Sequence, residues 1–180
     1  MKILVFAGSN SSKSINFEFA KYASSFFSEA EKKIIDLSVL DIPMFGVDFE
    51  ENNGIPEVAQ NFASDISACD LIILSLAEHN GSYTAAFKSL YDWTSRIPNR
   101  KVWDGKPMLL LSTSTGERGG KGVLATALDR FPRAGAEIAG KFFLPSFNDN
   151  FDIVSKKLTN DSLLTEFQKI IDEAKTFVKN

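Results

Sequence analysis

Apolar runs and amphipathic stretches alternate along this chain. Five short runs rich in Ile, Leu and Val recur at residues 2–7, 33–37, 71–76, 107–111 and 137–144. Most of them are continuous rather than alternating, which is typical of strands buried on both faces of a parallel sheet. Five strands that alternate with helices predict right-handed βαβ units around such a sheet.

The intervening stretches repeat apolar residues every three or four positions, as a helix does when it packs one face on a core. The five apolar stripes begin at Ile15, Val58, Tyr83, Val123 and Leu163. Among α/β folds we therefore expect a flavodoxin-like, doubly wound five-stranded parallel sheet of order 2-1-3-4-5, with helices on both faces. The length of 180 residues predicts a single domain over residues 1–180.

Ligands of such sheets bind at the carboxyl ends of the strands. Three connections that begin there are rich in Gly, Ser, Thr or Asn: residues 8–14, 77–82 and 112–120, called here the first, second and third loops. A fourth connection, residues 38–56, is long, and connections of that length are often functional. We expect the binding site at this edge of the sheet.

The first loop lies between a strand and an amphipathic helix. Such a turn presents backbone N–H groups and hydroxyls at the positive end of a helix, where a phosphate binds well. The hydroxyls available are those of Ser9, Ser11, Ser12 and Ser14. Asn16 either caps the helix or reaches the ligand. The structural alternative is a serine-rich helix cap without a ligand.

The second loop contains the dipeptide Asn80-Gly81, which favours a tight turn with positive φ. We expect Ser82 to cap the third helix and the turn to expose backbone groups that suit a flat polar heterocycle. His79 is the only histidine of the chain and has no acidic partner or metal-ligand spacing beside it. The sequence therefore predicts no metal site, and a lone loop histidine is more often solvated or structural than catalytic.

The third loop offers hydroxyls, three glycines and Arg118 ahead of the fourth helix. It could cradle a ring edge or a phosphate, and a flexible capped loop is the alternative. The chain has no P-loop motif, no Gly-x-Gly-x-x-Gly after its first strand and no Gly-x-Ser-x-Gly elbow. These absences argue against a P-loop nucleoside triphosphatase, a Rossmann dinucleotide fold and an α/β-hydrolase.

Net charge and cysteine content limit the partners and the cellular compartment that we expect for this protein. A net charge of −3 gives no basic footprint for nucleic acid or membrane, and it is weak for an electron shuttle steered by charge. The single cysteine, Cys69, cannot form an internal disulfide, which fits a reducing compartment. The first apolar run is too short for a signal-peptide core. We expect a cytoplasmic protein.

The motifs resemble those of the NAD(P)H-dependent FMN reductase family of flavodoxin-like proteins, which includes quinone, chromate and azo-compound reductases. The family's Gly-Ser-x-Arg-x-x-Ser-x-Asn is matched at Gly8, Ser9, Ser14 and Asn16. Its Pro-Glu-Tyr-Asn-Gly-Ser, followed by Leu-Lys-Asn-x-x-Asp-Trp-x-Ser-Arg, is matched at Glu78, Asn80, Gly81, Ser82, Lys88, Asp92, Trp93, Ser95 and Arg96. Three positions depart from it: Ser11 replaces arginine, Ala77 replaces proline and His79 replaces tyrosine.

The resemblance implies FMN with its phosphate in the first loop and its ring against the second and third loops. The expected cofactor-binding residues are Ser9, Ser11, Ser14, Ile15, Asn16, Glu78, His79, Asn80, Gly81, Ser82, Ser112, Thr113, Ser114, Gly116 and Gly119. It also implies an enzyme that passes hydride from NAD(P)H through the flavin to quinones, free flavin or similar small acceptors, with no catalytic side chain. A flavodoxin-type electron carrier and a non-catalytic flavodoxin-like interaction domain remain the alternatives.

The aromatic residues of the third helix predict that the protein forms an oligomer. One stripe cannot easily hold Tyr83, Phe87, Leu90, Tyr91, Trp93 and Ile97. Part of this aromatic surface should then lie outside, where apolar patches usually mark a partner. Together with the resemblance this predicts a homodimer or homotetramer packed through the third helix. The alternative is that Trp93 is buried under residues 38–56.

Overall fold

The computed structural model describes residues 1–179 of the chain. Its elements are, in order, β1 (Lys2–Gly8), α1 (Ile15–Ser25), β2 (Glu31–Ile35), α2 (Val47–Asn53), α3 (Glu57–Ala68), β3 (Leu71–Leu76), β4 (Glu78–His79), β5 (Ser82–Tyr83), α4 (Ala85–Ser95), β6 (Pro107–Thr113), α5 (Lys121–Arg133), β7 (Glu137–Leu144), α6 (Phe147–Asn150), β8 (Phe151–Asp152), β9 (Lys157–Leu158) and α7 (Asp161–Lys179).

Five parallel strands form the main sheet, in the order β2-β1-β3-β6-β7. The predicted flavodoxin-like order 2-1-3-4-5 is confirmed. The register places Val5 of β1 opposite Ile34 of β2 and Ile73 of β3. Strands β4 and β5 form a separate short antiparallel pair, as do β8 and β9.

Two hydrophobic cores lie on opposite faces of the sheet. On one face α1 and α7 pack over alternate residues of the central strands, with Phe19, Phe142 and Phe167 in mutual ring contact. On the other face α3, α4 and α5 cover the remaining residues, where Phe87 and Phe131 lie among the other aromatic rings. Alternating side-chain directions along each strand divide the apolar residues between the two cores.

The edge strand β2 corrects one predicted boundary. The sequence placed this strand at residues 33–37, but it spans Glu31–Ile35 and its side chains are mostly exposed or half-buried. Leu37 instead begins a 3₁₀ turn, Leu37–Val39, where the Asp36 side chain accepts a hydrogen bond from Ser38 N at 2.8 Å. The apolar pattern was misleading here because an edge strand buries little and carries lysines.

Residues 37–56, called here the strap, cross the outer face of α4, and they contain the helix α2 that the sequence analysis treated as loop. Trp93 is fully buried beneath the strap. Its Nε1 donates to the Pro43 carbonyl at 2.8 Å, and the ring of Phe45 packs edge-on at 4.9 Å between centroids. The expectation that this aromatic surface lies outside is therefore wrong, and the alternative, burial of Trp93 under residues 38–56, is confirmed.

The opposite, amino-terminal edge of the sheet holds Cys69, which is buried. Burial raises the pKa of its thiol to about 11, so the thiolate is scarce at neutral pH and the side chain packs as a small apolar group. Across residues 1–179, no helix combines the length and the hydrophobicity that a membrane crossing requires.

Candidate functional site

The three loops start from the carboxyl ends of three adjacent strands. Because β1, β3 and β6 are neighbours and parallel, the connections that follow them meet at one edge of the sheet. The structure shifts their bounds slightly: Gly8 belongs to β1, while Ser112 and Thr113 belong to β6. The sequence pattern predicts these three residues in loops.

The first loop uses its serines as acceptors. Ser9 Oγ accepts a hydrogen bond from Ser11 N at 3.3 Å, and Ser11 Oγ accepts one from Lys13 N at 3.3 Å. Ser14 Oγ accepts from Phe17 N at 3.2 Å and caps α1. A hydroxyl carries one proton to donate besides its acceptor lone pairs. None of these three protons is donated within residues 1–179, so each remains available to an anion.

The start of α1 adds backbone donors to these hydroxyls. Ser14 is the N-cap, so Ile15 and Asn16 are the first two helical residues. Their amides have no carbonyl four residues earlier inside the helix to donate to. The partial positive charge of the helix N-terminus lies at the same place, and the exposed Lys13 lies in the same loop. The first loop therefore has the donors and charge that a phosphate requires.

Asn16 is buried and makes its side-chain contacts within the protein. Its Oδ1 accepts from Ser75 Oγ at 2.7 Å and from Thr113 N at 3.0 Å, while its Nδ2 donates to Thr113 O at 3.1 Å. This one amide links the start of α1 to β3 and to β6. Its side chain therefore holds the first loop in place, and its backbone N–H is the group that remains for a ligand.

The third loop uses its hydroxyls in the opposite direction. Ser112 Oγ donates to Gly119 O at 2.9 Å, Thr113 Oγ1 donates to Leu144 O at 2.8 Å, and Ser114 Oγ donates to Gly116 O at 3.2 Å. The hydroxyl protons predicted to face a ligand are thus bonded to backbone carbonyls. These side chains shape the loop, and the carbonyls of Ser114, Gly116 and Gly119 are likewise bonded within the protein.

Glycine is required where the third loop approaches the last strand. Gly119 has φ +55°, and a Cβ there would lie 2.8 Å from the Leu144 carbonyl oxygen. Two further hydrogen bonds tie the loop to the segment after β7, from Ser146 N to Gly116 O at 3.0 Å and from Phe147 N to Ser114 O at 3.0 Å. The third loop is held on both sides.

The second loop is a two-residue hairpin between β4 and β5, called here the hairpin. Asn80 and Gly81 both have positive φ, 51° and 79°, as a type I′ turn requires. The four residues from His79 to Ser82 are exposed. The hairpin therefore presents a ridge of backbone and short side chains at the sheet edge.

Thr84, and not Ser82 as predicted, caps the helix that follows the hairpin. Thr84 Oγ1 accepts from Phe87 N at 3.2 Å and donates to Gly8 O at 3.0 Å, so it joins α4 to the end of β1. Glu78 reaches the other way: its Oε2 accepts from Val123 N in the first turn of α5 at 2.7 Å. The hairpin is thus bonded to the elements on both sides.

Beneath the hairpin, Tyr83 and Tyr91 lie among aromatic rings. Tyr83 stacks on Phe131 at 5.8 Å between centroids, and its buried hydroxyl has no hydrogen-bond partner within residues 1–179. Burial raises the pKa of Tyr83 well above its ordinary value and also raises the pKa of Tyr91. Neither phenol is suited to lose a proton at neutral pH.

A cavity of about 760 Å³ lies beside the first loop. It is lined by Lys13 and Ile15 on one side and by residues after β7, including Phe147 and Phe151, on the other. No residue of the hairpin or of the third loop lines it. The loops expected to contact a flavin ring therefore lie outside this cavity.

Two residues of this edge, Ser75 and Thr84, were not predicted from the sequence to belong to the site. Ser75 is a lone hydroxyl in an otherwise apolar buried strand, which is itself a signal because a buried hydroxyl needs a partner. Thr84 directly precedes the helical stripe, which is the position of a cap. Of the predicted residues, the structure leaves the hydroxyl protons of Ser9, Ser11 and Ser14 without an acceptor within residues 1–179 and bonds those of Ser112 and Thr113 to backbone carbonyls.

Comparisons with known proteins identify a family for this chain. A model of the NADPH-dependent FMN reductase family matches residues 1–149. An NADPH:quinone oxidoreductase of Arabidopsis thaliana is 39% identical over 87 residues, which cover 48% of this chain and 42% of that protein. A 2-hydroxy-1,4-benzoquinone reductase of a Burkholderia species is 32% identical over 120 residues, 66% of this chain and 63% of that protein. The aligned region thus spans less than two thirds of each relative.

A solved structure shares the fold. FerB of Paracoccus denitrificans, a flavoenzyme NAD(P)H:acceptor oxidoreductase, superposes with a TM-score of 0.79 at 20% identity and covers 99% of this chain and 97% of that one. At this identity the likeness supports the doubly wound fold and no more. The family match ends at residue 149, so β8, β9 and α7 lie beyond it.

Proposed function

Because this chain belongs to the NADPH-dependent FMN reductase family, we propose that it is an FMN-containing oxidoreductase. In this proposal one flavodoxin-like domain, residues 1–180, takes hydride from NAD(P)H and delivers electrons to quinones or similar small acceptors. The relatives named above as quinone reductases support this class of acceptor.

The observation that carries the proposal is the first loop. Three hydroxyl protons and two first-turn amides at the N-terminus of α1 have no hydrogen-bond partner within residues 1–179. This donor set suits one phosphate group, as FMN has, and each hydrogen bond to a charged group stabilises binding by about 1.5–3 kcal/mol. Ser9, Ser11, Ser14, and the backbone of Ile15 and Asn16 would bind that phosphate.

The flavin ring would lie against the hairpin and the third loop. The backbone of Asn80 and Gly81, together with the amide of the exposed Gly116, would supply donors and acceptors to its polar edge. The Gly116 carbonyl already accepts hydrogen bonds from Ser114 Oγ, Gly119 N and Ser146 N. The side chains of His79 and Ser82 are exposed at the same ridge. When bound, FMN would supply the hydride and electron chemistry, and the protein would supply its placement.

No side chain of this edge is proposed as an acid or base. Burial holds the Tyr83 phenol in its protonated form, and the thiol of Cys69 lies at the other edge of the sheet. His79 is exposed and makes no side-chain hydrogen bond within residues 1–179. The chain's own contributions are therefore binding, orientation of the ring and access for the two substrates.

One experiment separates this proposal from an electron carrier and from an interaction domain. The purified protein is denatured, the released flavin is identified, and the native protein is then reduced anaerobically with NADH and with NADPH. We expect FMN, reduction by at least one pyridine nucleotide, and steady-state oxidation of that nucleotide with a quinone. Recovery of FAD alone would contradict the FMN assignment, reduction only by a partner flavoprotein would indicate a carrier, and a protein that binds no flavin would indicate an interaction domain.

We also propose that the protein is a homo-oligomer that packs through the strap rather than through α4. The outward side of the strap exposes Met44, Val47 and Phe49, with Met44 78% exposed. A second chain on this apolar surface would bury it. Replacement of Met44 and Val47 by serine should shift the mass measured by light scattering toward the monomer. A monomeric wild-type protein that is fully active would contradict the proposal.

A further inference from the structure

We infer that Glu78 is a positioning residue, which fixes the hairpin to α5 through its carboxylate rather than binding the cofactor directly. The inference rests on the proposed function, because the hairpin is the surface proposed for the flavin ring. It concerns a hydrogen bond across the site, between a residue of β4 and the first turn of α5.

The N-terminus of α5 lacks a cap of its own. Its N-cap residue is Gly120, which has no side chain and adopts a left-handed conformation with φ +74°. The first turn carries no acidic residue. Glu78 Oε2 accepts from Val123 N at 2.7 Å, so a carboxylate 45 positions away in the sequence does what a local capping side chain usually does.

The close approach is possible because residue 122 is glycine. A Cβ on Gly122 would lie 2.7 Å from Glu78 Oε2 and 3.4 Å from the Gly81 carbonyl oxygen. Residue 122 therefore touches both the Glu78 carboxylate and the tip of the hairpin. A side chain at this position must displace the Glu78 carboxylate, whereas the Gly81 carbonyl lies at van der Waals distance.

The carboxylate is engaged at the helix and is thereby less available to a ligand. Glu78 is half-buried, and the N-terminus of α5 favours a negative charge. With Thr84 fastening the hairpin to β1 through Gly8 O, Glu78 provides the second attachment. Loss of the Glu78 attachment would free the hairpin on its α5 side and misplace the ring surface.

Three variants separate positioning from direct binding. Glu78→Gln removes the charge but keeps an oxygen that can accept from Val123 N, and Glu78→Ala removes both. Gly122→Ala leaves Glu78 in the sequence and obstructs its contact. The matched controls are Glu57→Ala, which removes an exposed first-turn carboxylate of α3, and Gly46→Ala, whose added Cβ would have no atom within 4 Å.

The first measurement is hydrogen–deuterium exchange of the Val123 amide in the FMN-free protein, with the Leu109 amide of β6 as a reference for global unfolding. We expect exchange at Val123 to accelerate at least tenfold in Glu78→Ala and in Gly122→Ala, and less than threefold in Glu78→Gln and in both controls. Unchanged exchange in Glu78→Ala, or equal acceleration at Leu109, would overturn the inference.

The second measurement is FMN affinity. Positioning predicts that Glu78→Ala and Gly122→Ala weaken binding at least fivefold and that Glu78→Gln restores it to within twofold of wild type. If Glu78→Gln is as weak as Glu78→Ala, the carboxylate binds the cofactor directly and the inference is wrong. If the wild-type protein binds no FMN, the proposed function fails, and the exchange data still decide whether Glu78 fixes the hairpin to α5.

Discussion

The first and third loops are made of the same kinds of residue, yet they use their hydroxyls in opposite directions. In the first loop Ser9, Ser11 and Ser14 accept hydrogen bonds from backbone amides. In the third loop Ser112 and Thr113 donate hydrogen bonds to backbone carbonyls. The first loop therefore leaves its hydroxyl protons without an acceptor within residues 1–179, and the third loop uses them to hold its own shape.

The difference follows from where the residues lie in the backbone. The serines of the first loop occupy tight turns that lead into a helix, where amides two or three residues ahead point back at the side chain. Ser112 and Thr113 occupy the last residues of a buried strand, where carbonyls of neighbouring segments need donors. A count of hydroxyls locates candidate sites, and the direction of each hydrogen bond decides which of them can bind an anion.

The largest effect is expected in the first loop. Replacing Ser9 and Ser14 together by alanine removes two proposed phosphate donors, each worth about 1.5–3 kcal/mol. The FMN dissociation constant should rise at least tenfold, as measured by quenching of flavin fluorescence. Ser14→Ala also removes the cap of α1, so circular dichroism should confirm that the variant is folded. An unchanged dissociation constant would place the phosphate elsewhere.

A smaller effect of a different kind is expected in the third loop. Ser112→Ala and Thr113→Val each leave a buried carbonyl without its donor, which costs about 1–3 kcal/mol of unfolding free energy. Urea denaturation should show this loss, while FMN affinity, measured well below the denaturation midpoint, should change less than about threefold. Tenfold weaker binding with unchanged stability would reverse the assignment of the two loops.

The smallest effect is expected at His79 on the hairpin. His79→Phe should leave the rate of flavin reduction by NAD(P)H within roughly tenfold of wild type, whereas loss of a general acid or base costs about 10²–10⁴. Stopped-flow absorbance under anaerobic conditions measures this step. A loss of a hundredfold or more would show that proton transfer by a side chain limits the reaction.

Much of the fold was predictable because its signals are local and strong. The buried runs of β1 and β3 and the apolar stripes of α1 and α5 have the periods that their positions require. The strand order could be chosen from the small set of doubly wound α/β topologies. What could not be predicted depends on partners distant in sequence, such as the Pro43 carbonyl that accepts from Trp93.

The candidate site likewise combines features that the sequence predicts with features that depend on partners distant in sequence. The hydrogen bonding of the first loop can be predicted from sequence because its bonds join residues two or three apart. The actual partners of Glu78 and Asn16 lie 45 and 97 positions away. No local sequence pattern indicates these distant hydrogen-bond partners. Both residues were expected among those that bind the cofactor, with helix capping as the alternative for Asn16, but their side chains bond within the protein.

The buried amide of Asn16 has a thermodynamic consequence for ligand capture. Its hydrogen bonds to Ser75 and Thr113 fasten the first loop to two strands of the sheet before any ligand arrives. The conformational entropy of the loop is then lost during folding and not during association, which strengthens binding for a given set of contacts. Association should accordingly require little rearrangement, so the ligand-free protein should already hold the first loop in its binding geometry.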